Sequence, residues 1–335
     1  MPAAPNFDPN TWHWEMADFI VDWANENDLY FKWHVLFWGQ DGVRWMVNEV
    51  RNGQVTNNPL TRAQAIANME LYINTVVGRY RGRVDTWEVV NEAFTGWVGQ
   101  QAWNATPDWR RHIRNRRTVH NAQPNYAFWY EAFANGARGN ECGSDFIYYA
   151  FRFTRIADPY AKLMYNDFGE HEPGKRNAMA QMVEQINERW RNDPLYDGRL
   201  LIGVIGMQGH YSTNQNLNEI RDSIRRFAQT GARIHVTELD VQIPGMYDWG
   251  RMHFHMPAER RLTAAEARSQ AIFYRDLFRL YVDHANHIDR ITFWGIADQW
   301  SWLSPSWPLL FEIEGDDIVP KDAFWSVMEV VGIRP

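Results

Sequence analysis

A parallel α/β fold of the (β/α)8 TIM-barrel type is the class this sequence predicts, on three observations. Helical and strand-like segments alternate along the chain, the strands are apolar almost throughout, and strand after strand finishes on polar or aromatic groups. Such alternation implies parallel strands joined by helical crossovers, and continuous apolar runs imply strands covered on both faces. A doubly wound sheet would fit the alternation too. It would, however, gather its ligand groups at a switch point, usually beside a glycine-rich phosphate loop, and no GxGxxG or GxxxxGK follows any strand. In a barrel all carboxyl ends converge on one face, which suits polar endings on several separate segments.

The elements follow in order. ADFIVDWANEN (17–27) has helical spacing and precedes the aromatic, β-branched run LYFKWHVLFW (29–38). TRAQAIANMELYINTVVGRY (61–80) is helical, with Thr61 placed to cap it, and RVDTWEVV (83–90) is a strand. Helix 143–158 then precedes strand 162–167, and helix 177–192 precedes strand 200–210. Helix 217–231 precedes strand 233–241, and helix 264–284 precedes strand 290–298. Six of eight β/α units are thus recognisable, within what reads as one domain over 1–335.

Composition excludes several functions. A net charge of −7 argues against a nucleic-acid partner, whose phosphates demand a basic surface. The arginines of RRHIRNRR (110–117) read most simply as a solvated helix face. Cys142 is the only cysteine, so there is neither an intrachain disulfide nor a cysteine-based zinc site. No apolar run approaches a membrane span, and the first thirty residues lack the pattern of a signal peptide. The 18 Trp, 14 Tyr and 18 Phe raise the weight of a carbohydrate ligand, although most of them must be core.

The strand endings carry the chemistry. They are His34 and Trp38, Asn91 and Glu92, Asn166 and Asp167, Gln208 and His210, Glu238 and Asp240, and Trp294. Each alone is commonly a loop-start or capping residue. There is no HExxH, GxSxG or EF-hand pattern, and His253 with His255 is a weak metal pair. What remains is a pair of glutamates, Glu92 and Glu238, at the ends of the second and fifth recognisable strands. Two carboxyl groups flanking an aromatic-lined pocket is what glycosidic-bond cleavage requires, one protonated to serve the leaving oxygen and one ionised. Alternation along HVTELDV puts Asp240 on the same face as Glu238, and His210 ends the neighbouring strand, close enough to bridge both carboxylates.

With these motifs in order, the sequence resembles glycoside hydrolase family 10, the retaining endo-β-1,4-xylanases. WEVVNEAF (87–94) is similar to the acid/base segment and HVTELDV (235–241) to the nucleophile segment. HVLFW (34–38), GMQGH (206–210), TFWGIADQWSWL (292–303) and PLLFEIEGDDIVPKDAFW (308–325) also match. The resemblance implies Glu92 as acid/base, Asn91 on the sugar 2-hydroxyl and Glu238 as nucleophile. It implies His34, Trp38, Gln208, His210, Trp294 and Trp302 as cleft residues, with Asp240 and Asn166 in support. It further implies carboxyl groups about 5–5.5 Å apart, xylan or xylo-oligosaccharide as substrate, and neither metal nor organic cofactor.

The sequence departs from the family in places. The family's first two strands and their Glu-Asn-x-x-Lys motif have no counterpart, so those strands are missing, replaced, or supplied by a partner chain. An open barrel edge needs covering, and a second copy of the chain is one candidate cover. Gly39 stands where a histidine is common, Phe168 replaces a usual tyrosine, and 97–126 reads as an enlarged loop after the acid/base strand. Two alternatives therefore stay open: β-glucanase or aryl-β-glycosidase activity at the same site, and a non-catalytic xylan-binding remnant. A polymeric substrate suggests a secreted or periplasmic protein, while the lack of a signal peptide leaves an intracellular one open.

Overall fold

The computed structural model describes residues 12–39, 44–117, 127–245 and 261–332, and the backbone alone of 247–248 and 253–254. In chain order the elements are helix α1 (Glu15–Glu26), strands β1 (Lys32–Trp33) and β2 (Phe37–Trp38), the hairpin β3 (Asn48–Arg51) and β4 (Gln54–Pro59), α2 (Arg62–Arg79), β5 (Thr86–Asn91), α3 (Gln100–Ala105), α4 (Phe128–Ala134), α5 (Asp145–Ala157), β6 (Lys162–Asp167) and α6 (Pro173–Arg191). There follow β7 (Val204–Met207), β8 (His210–Ser212), α7 (Leu217–Ala228), β9 (Arg233–Gln242), the pair β10 (Tyr247–Asp248) and β11 (His253–Phe254), α8 (Ala264–Asp283), β12 (Ile288–Phe293), the hairpin β13 (Phe311–Glu314) and β14 (Asp317–Pro320), and α9 (Asp322–Val331). Every helix and strand expected from the sequence is present, with ends shifted by a few residues. Two of the expected strands are interrupted: 29–38 is extended only as β1 and β2, and 200–210 resolves into β7 and β8 around Gln208-Gly209. Among the described residues no strand precedes α1, and no helix is long and apolar enough to cross a membrane.

The chain divides into two compact units: Met1–Asp167 with Asn177–Ile205, and Phe168–Arg176 with Gly206–Pro335. In the first, β1 and β2 both pair in parallel with β5, in register Trp33↔Trp87 and Trp38↔Asn91, and β5 pairs in parallel with β6, in register Asn91↔Asn166. Every residue of β5 is buried, the polar Thr86, Glu88 and Asn91 included, as in a strand covered on both faces. Trp87 packs 5.2 Å from Trp33, ring centre to ring centre, and its Nε1 donates to Asp158 Oδ2 at 3.0 Å. Deleting so large a buried side chain costs about 3–5 kcal/mol. Thr61 caps α2 reciprocally with Gln64, and Ala65, Met69, Ile73 and Val76 recur at helical spacing on its buried face.

In the second unit, β8 and β12 pair in parallel with β9, in register His210↔Asp240 and Phe293↔Leu239. Gly209 makes the step between β7 and β8 with φ +78°, and a Cβ there would stand 3.1 Å from Val236 Cγ1. Both the backbone angle and the tight fit call for glycine. α8 starts at Thr263, capped reciprocally with Glu266, and buries Gln270, whose Nε2 donates to Val241 O at 2.8 Å and Trp307 O at 2.6 Å. A buried ion pair, Lys321 Nζ to Asp298 Oδ2 at 2.7 Å, ties the closing segment to the turn after β12, and the same ammonium donates to Trp307 O and Leu309 O.

Residues 110–117 are not a solvated helix face. Trp109–His112 is a short 3-10 turn, after which the chain returns antiparallel to 93–95. Trp109 and Ile113 are buried beside it, and Arg114 is buried with them.

Candidate active site

The first unit brings His34, Trp38, Asn91, Glu92 and Asn166 to the carboxyl ends of β1, β2, β5 and β6. Asn166 Nδ2 donates to Asn91 Oδ1 at 3.2 Å and to Glu88 Oε1 at 3.1 Å. Glu92 follows β5 with φ +53°, a left-handed conformation that a non-glycine residue adopts at a cost of about 1–2 kcal/mol. Its neighbours hold it there. Glu92 N donates to Asn166 O at 3.0 Å, Ala93 N donates to Tyr165 Oη at 3.2 Å, and Tyr165 Oη donates to Asp167 Oδ2 at 2.6 Å. The Glu92 carboxyl is largely buried, with Oε2 3.7 Å from Arg114 Nη1.

Below this group lies Glu88, fully buried, with Oε1 3.0 Å from His34 Nδ1 and Oε2 3.3 Å from Lys32 Nζ. Burial raises a carboxyl pKa, but the charges and hydrogen bonds of Lys32 and His34 outweigh it and hold Glu88 below its ordinary value. Glu88 is therefore an ionised anchor for His34 and cannot serve as a proton donor near neutral pH. The His34 ring centre in turn stands 6.1 Å from that of Trp38.

The second unit assembles Gln208, His210, Glu238, Asp240 and Trp302. Glu238 N donates to Gln208 O at 2.8 Å, fixing the strand end, and Gln208 is itself buried. His210 lies between two carboxylates, Nε2 3.2 Å from Glu238 Oε2 and Nδ1 3.0 Å from Asp240 Oδ2. Burial alone would lower the imidazole pKa; the two carboxylates overcome it and raise it well above its ordinary value, so the ring is an imidazolium. Trp302 Nε1 donates to Asp240 Oδ2 at 2.9 Å, and its ring stands edge-on to His210 at 5.1 Å with 40% of the side chain exposed. Trp294 joins through its backbone, N to Leu239 O at 3.1 Å, and is half-buried. Phe168, where a tyrosine was expected, carries the Lys175 ammonium 3.9 Å from its ring centre.

The profile of glycosyl hydrolase family 10 matches residues 3–330. The chain belongs to glycosyl hydrolase family 10. It is 30% identical over 322 residues to endo-1,4-beta-xylanase B of Paenibacillus barcinonensis, covering 94% of this chain and 81% of that one. It is 30% identical over 318 residues to endo-1,4-beta-xylanase A of Thermotoga neapolitana, where it spans 25% of the relative's length and 94% of its own. Among solved structures, a GH10 xylanase with a bacterial Ig-like domain from termite gut superposes with a TM-score of 0.77 at 27% identity, over 96% of this chain and 64% of that one. The fold class is that of the family, α/β of the (β/α)8 barrel type.

Three charged residues packed beside the candidate site escape the sequence reading: Lys32, Glu88 and Arg114. Charged residues inside otherwise buried strands were the available signal for the first two. An irregularity in the β5–β6 register between Glu88 and Val90 lets Glu88 and Asn91 reach the same Asn166, which strict alternation would forbid. Nothing in RRHIRNRR marks Arg114 from its neighbours; its position depends on where the loop returns. Of the weak metal pair, His255 lies outside the described residues and only the backbone of His253 is described.

Proposed function

We propose that the chain is a single catalytic domain of a retaining, endo-acting β-1,4-xylanase, with Glu92 as acid/base and Glu238 as nucleophile. The observation that carries this reading is the Glu238–His210–Asp240 line: a buried carboxylate at a strand end, oriented by an imidazolium that a second carboxylate anchors. An acid/base carboxyl must exchange a proton and a nucleophile must stay ionised, and an imidazolium beside Glu238 favours the ionised form.

In the first step Glu92 gives its proton to the glycosidic oxygen as the C1–O bond breaks, and Glu238 forms an ester to C1. Glu92, now a carboxylate, takes a proton from water, whose oxygen displaces Glu238 and restores both groups. Two inversions at C1 leave the configuration unchanged. Asn91, oriented by Asn166, addresses the 2-hydroxyl, while His34, Trp38, Gln208, Trp294 and Trp302 line the sugar sites. A polymeric substrate supports a secreted or periplasmic location, with an intracellular one still open. To test the assignment, release of xylo-oligosaccharides from xylan is compared for the unaltered protein, Glu92→Gln and Glu238→Gln; undiminished release by either variant sinks it.

A further inference from the structure

We propose that Arg114 is a positioning residue for the acid/base step, holding the Glu92 carboxyl in place and stabilising the carboxylate that remains when its proton leaves. The inference rests on the reading of Glu92 as acid/base. Arg114 reaches Glu92 because the chain closes on itself after the strand end: Arg114 N donates to Ala93 O at 2.8 Å, Thr95 N donates to His112 O at 2.9 Å, and Phe94 bridges Ile113. This antiparallel strap is anchored at a distance. Trp109 is buried, its backbone N donates to Gln181 Oε1 and its Nε1 to Gln185 Oε1, both at 2.9 Å, and both glutamines lie on α6.

Two faces of the guanidinium do different things. Nε donates to Phe94 O at 2.6 Å, which fixes the side chain, and Nη1 stands 3.7 Å from Glu92 Oε2. That separation is an ion-pair contact rather than a full hydrogen bond, as is common before substrate closes a site. The Arg114 and Glu92 side chains are only 10% and 13% exposed, so water screens the pair little. As the glycosidic C1–O bond breaks, its electron pair goes to the leaving oxygen together with the Glu92 proton, and negative charge develops on Glu92 beside a fixed cation. The cation thus favours the moment of proton loss. It also holds Oε2 toward the loop, while Oε1 accepts from Asn91 Nδ2 at 3.5 Å.

The test uses two substrates that differ in their need for a proton. Xylotetraose has a poor leaving group; 2,4-dinitrophenyl β-xylobioside has one that departs unaided. For Arg114→Gln we expect kcat/KM on xylotetraose to fall about 10- to 100-fold, and on the dinitrophenyl substrate by no more than about 2-fold. Arg114→Lys, which keeps a cation, recovers most of the loss. Glu92→Gln serves as reference. Because the readout is the ratio of two rates in one preparation, partial unfolding cancels from it. Equal losses on both substrates, or none on either, would overturn the proposal. If Glu92→Gln shows the leaving-group dependence and Arg114→Gln does not, the role of Arg114 alone falls; if Glu92→Gln cleaves xylotetraose normally, the acid/base reading falls with it.

Discussion

His210 and Asp240 meet at 3.0 Å, Nδ1 to Oδ2, and that ion pair turns the other ring nitrogen toward Glu238. Burial works against the charged ring, but the carboxylates raise its pKa above the ordinary histidine value. A histidine raised on folding contributes stability that is complete below its unfolded pKa of about 6.5 and lost as pH rises through the folded value. Urea denaturation across the neutral-to-alkaline range is thus expected to show falling stability above about pH 6.5, with a shallower fall in Asp240→Asn. The same variant should lose at least about 10-fold in kcat/KM, since the imidazole loses both its charge and its orientation. A stability profile unchanged by Asp240→Asn would contradict the charged-ring assignment.

Azide separates the two glutamate roles by stereochemistry. In Glu92→Ala, given a dinitrophenyl xylobioside, azide is expected to attack the glycosyl ester from the acid/base side, yielding the β-azide. In Glu238→Ala it enters from the vacated nucleophile side and yields the α-azide. Identical configuration from both variants, read by proton NMR, would overturn the assignment.

The left-handed backbone at Glu92 (φ +53°) carries its own prediction. Glycine adopts that conformation without the Cβ clash, so Glu92→Gly should be more stable than Glu92→Ala by about 1 kcal/mol. Equal denaturation midpoints for the two would show that the strain is not felt.

Breaking the Lys321–Asp298 pair tests the closing segment. Burial raises the Asp298 pKa to about 6 even with the ammonium beside it. Lys321→Met leaves a buried carboxylate uncompensated and should cost about 3–5 kcal/mol near neutral pH. A raised carboxyl pKa adds stability that fades as pH rises, and losing the cation raises it further, so the deficit should shrink as pH falls toward 6, the range in which the variant's Asp298 takes up its proton and the unaltered protein's does not. The double variant Lys321→Met, Asp298→Leu should recover much of the loss at neutral pH. A deficit independent of pH would exclude the electrostatic account.

Much of this was legible in the residues because strand periodicity is local. Glu238 and Asp240 can be placed on one face by counting alternate positions and His210 at the end of the neighbouring strand, and the structure brings the three within hydrogen-bonding reach. Glu88 escapes that count because the β5–β6 register shifts between Glu88 and Val90. Arg114 was misread for a different reason. An arginine among arginines has no local mark, and what buries it is a return of the chain onto residues 93–95 that no periodicity announces. The hairpin at 48–59 and helix α4 were likewise invisible to a reading tuned to alternation.

The bridge between Phe94 and Ile113 also separates two jobs within one connection. Because the strap is closed by its own backbone bonds and anchored at Trp109, the stretch from 97 to 106 can lengthen, shorten or change composition while the groups beside Glu92 keep their positions, at a loop-closure cost that grows only with the logarithm of length. An engineer wishing to graft a foreign loop onto this domain would cut there. Length and sequence can then change outside the strap without disturbing the Arg114–Glu92 contact within it.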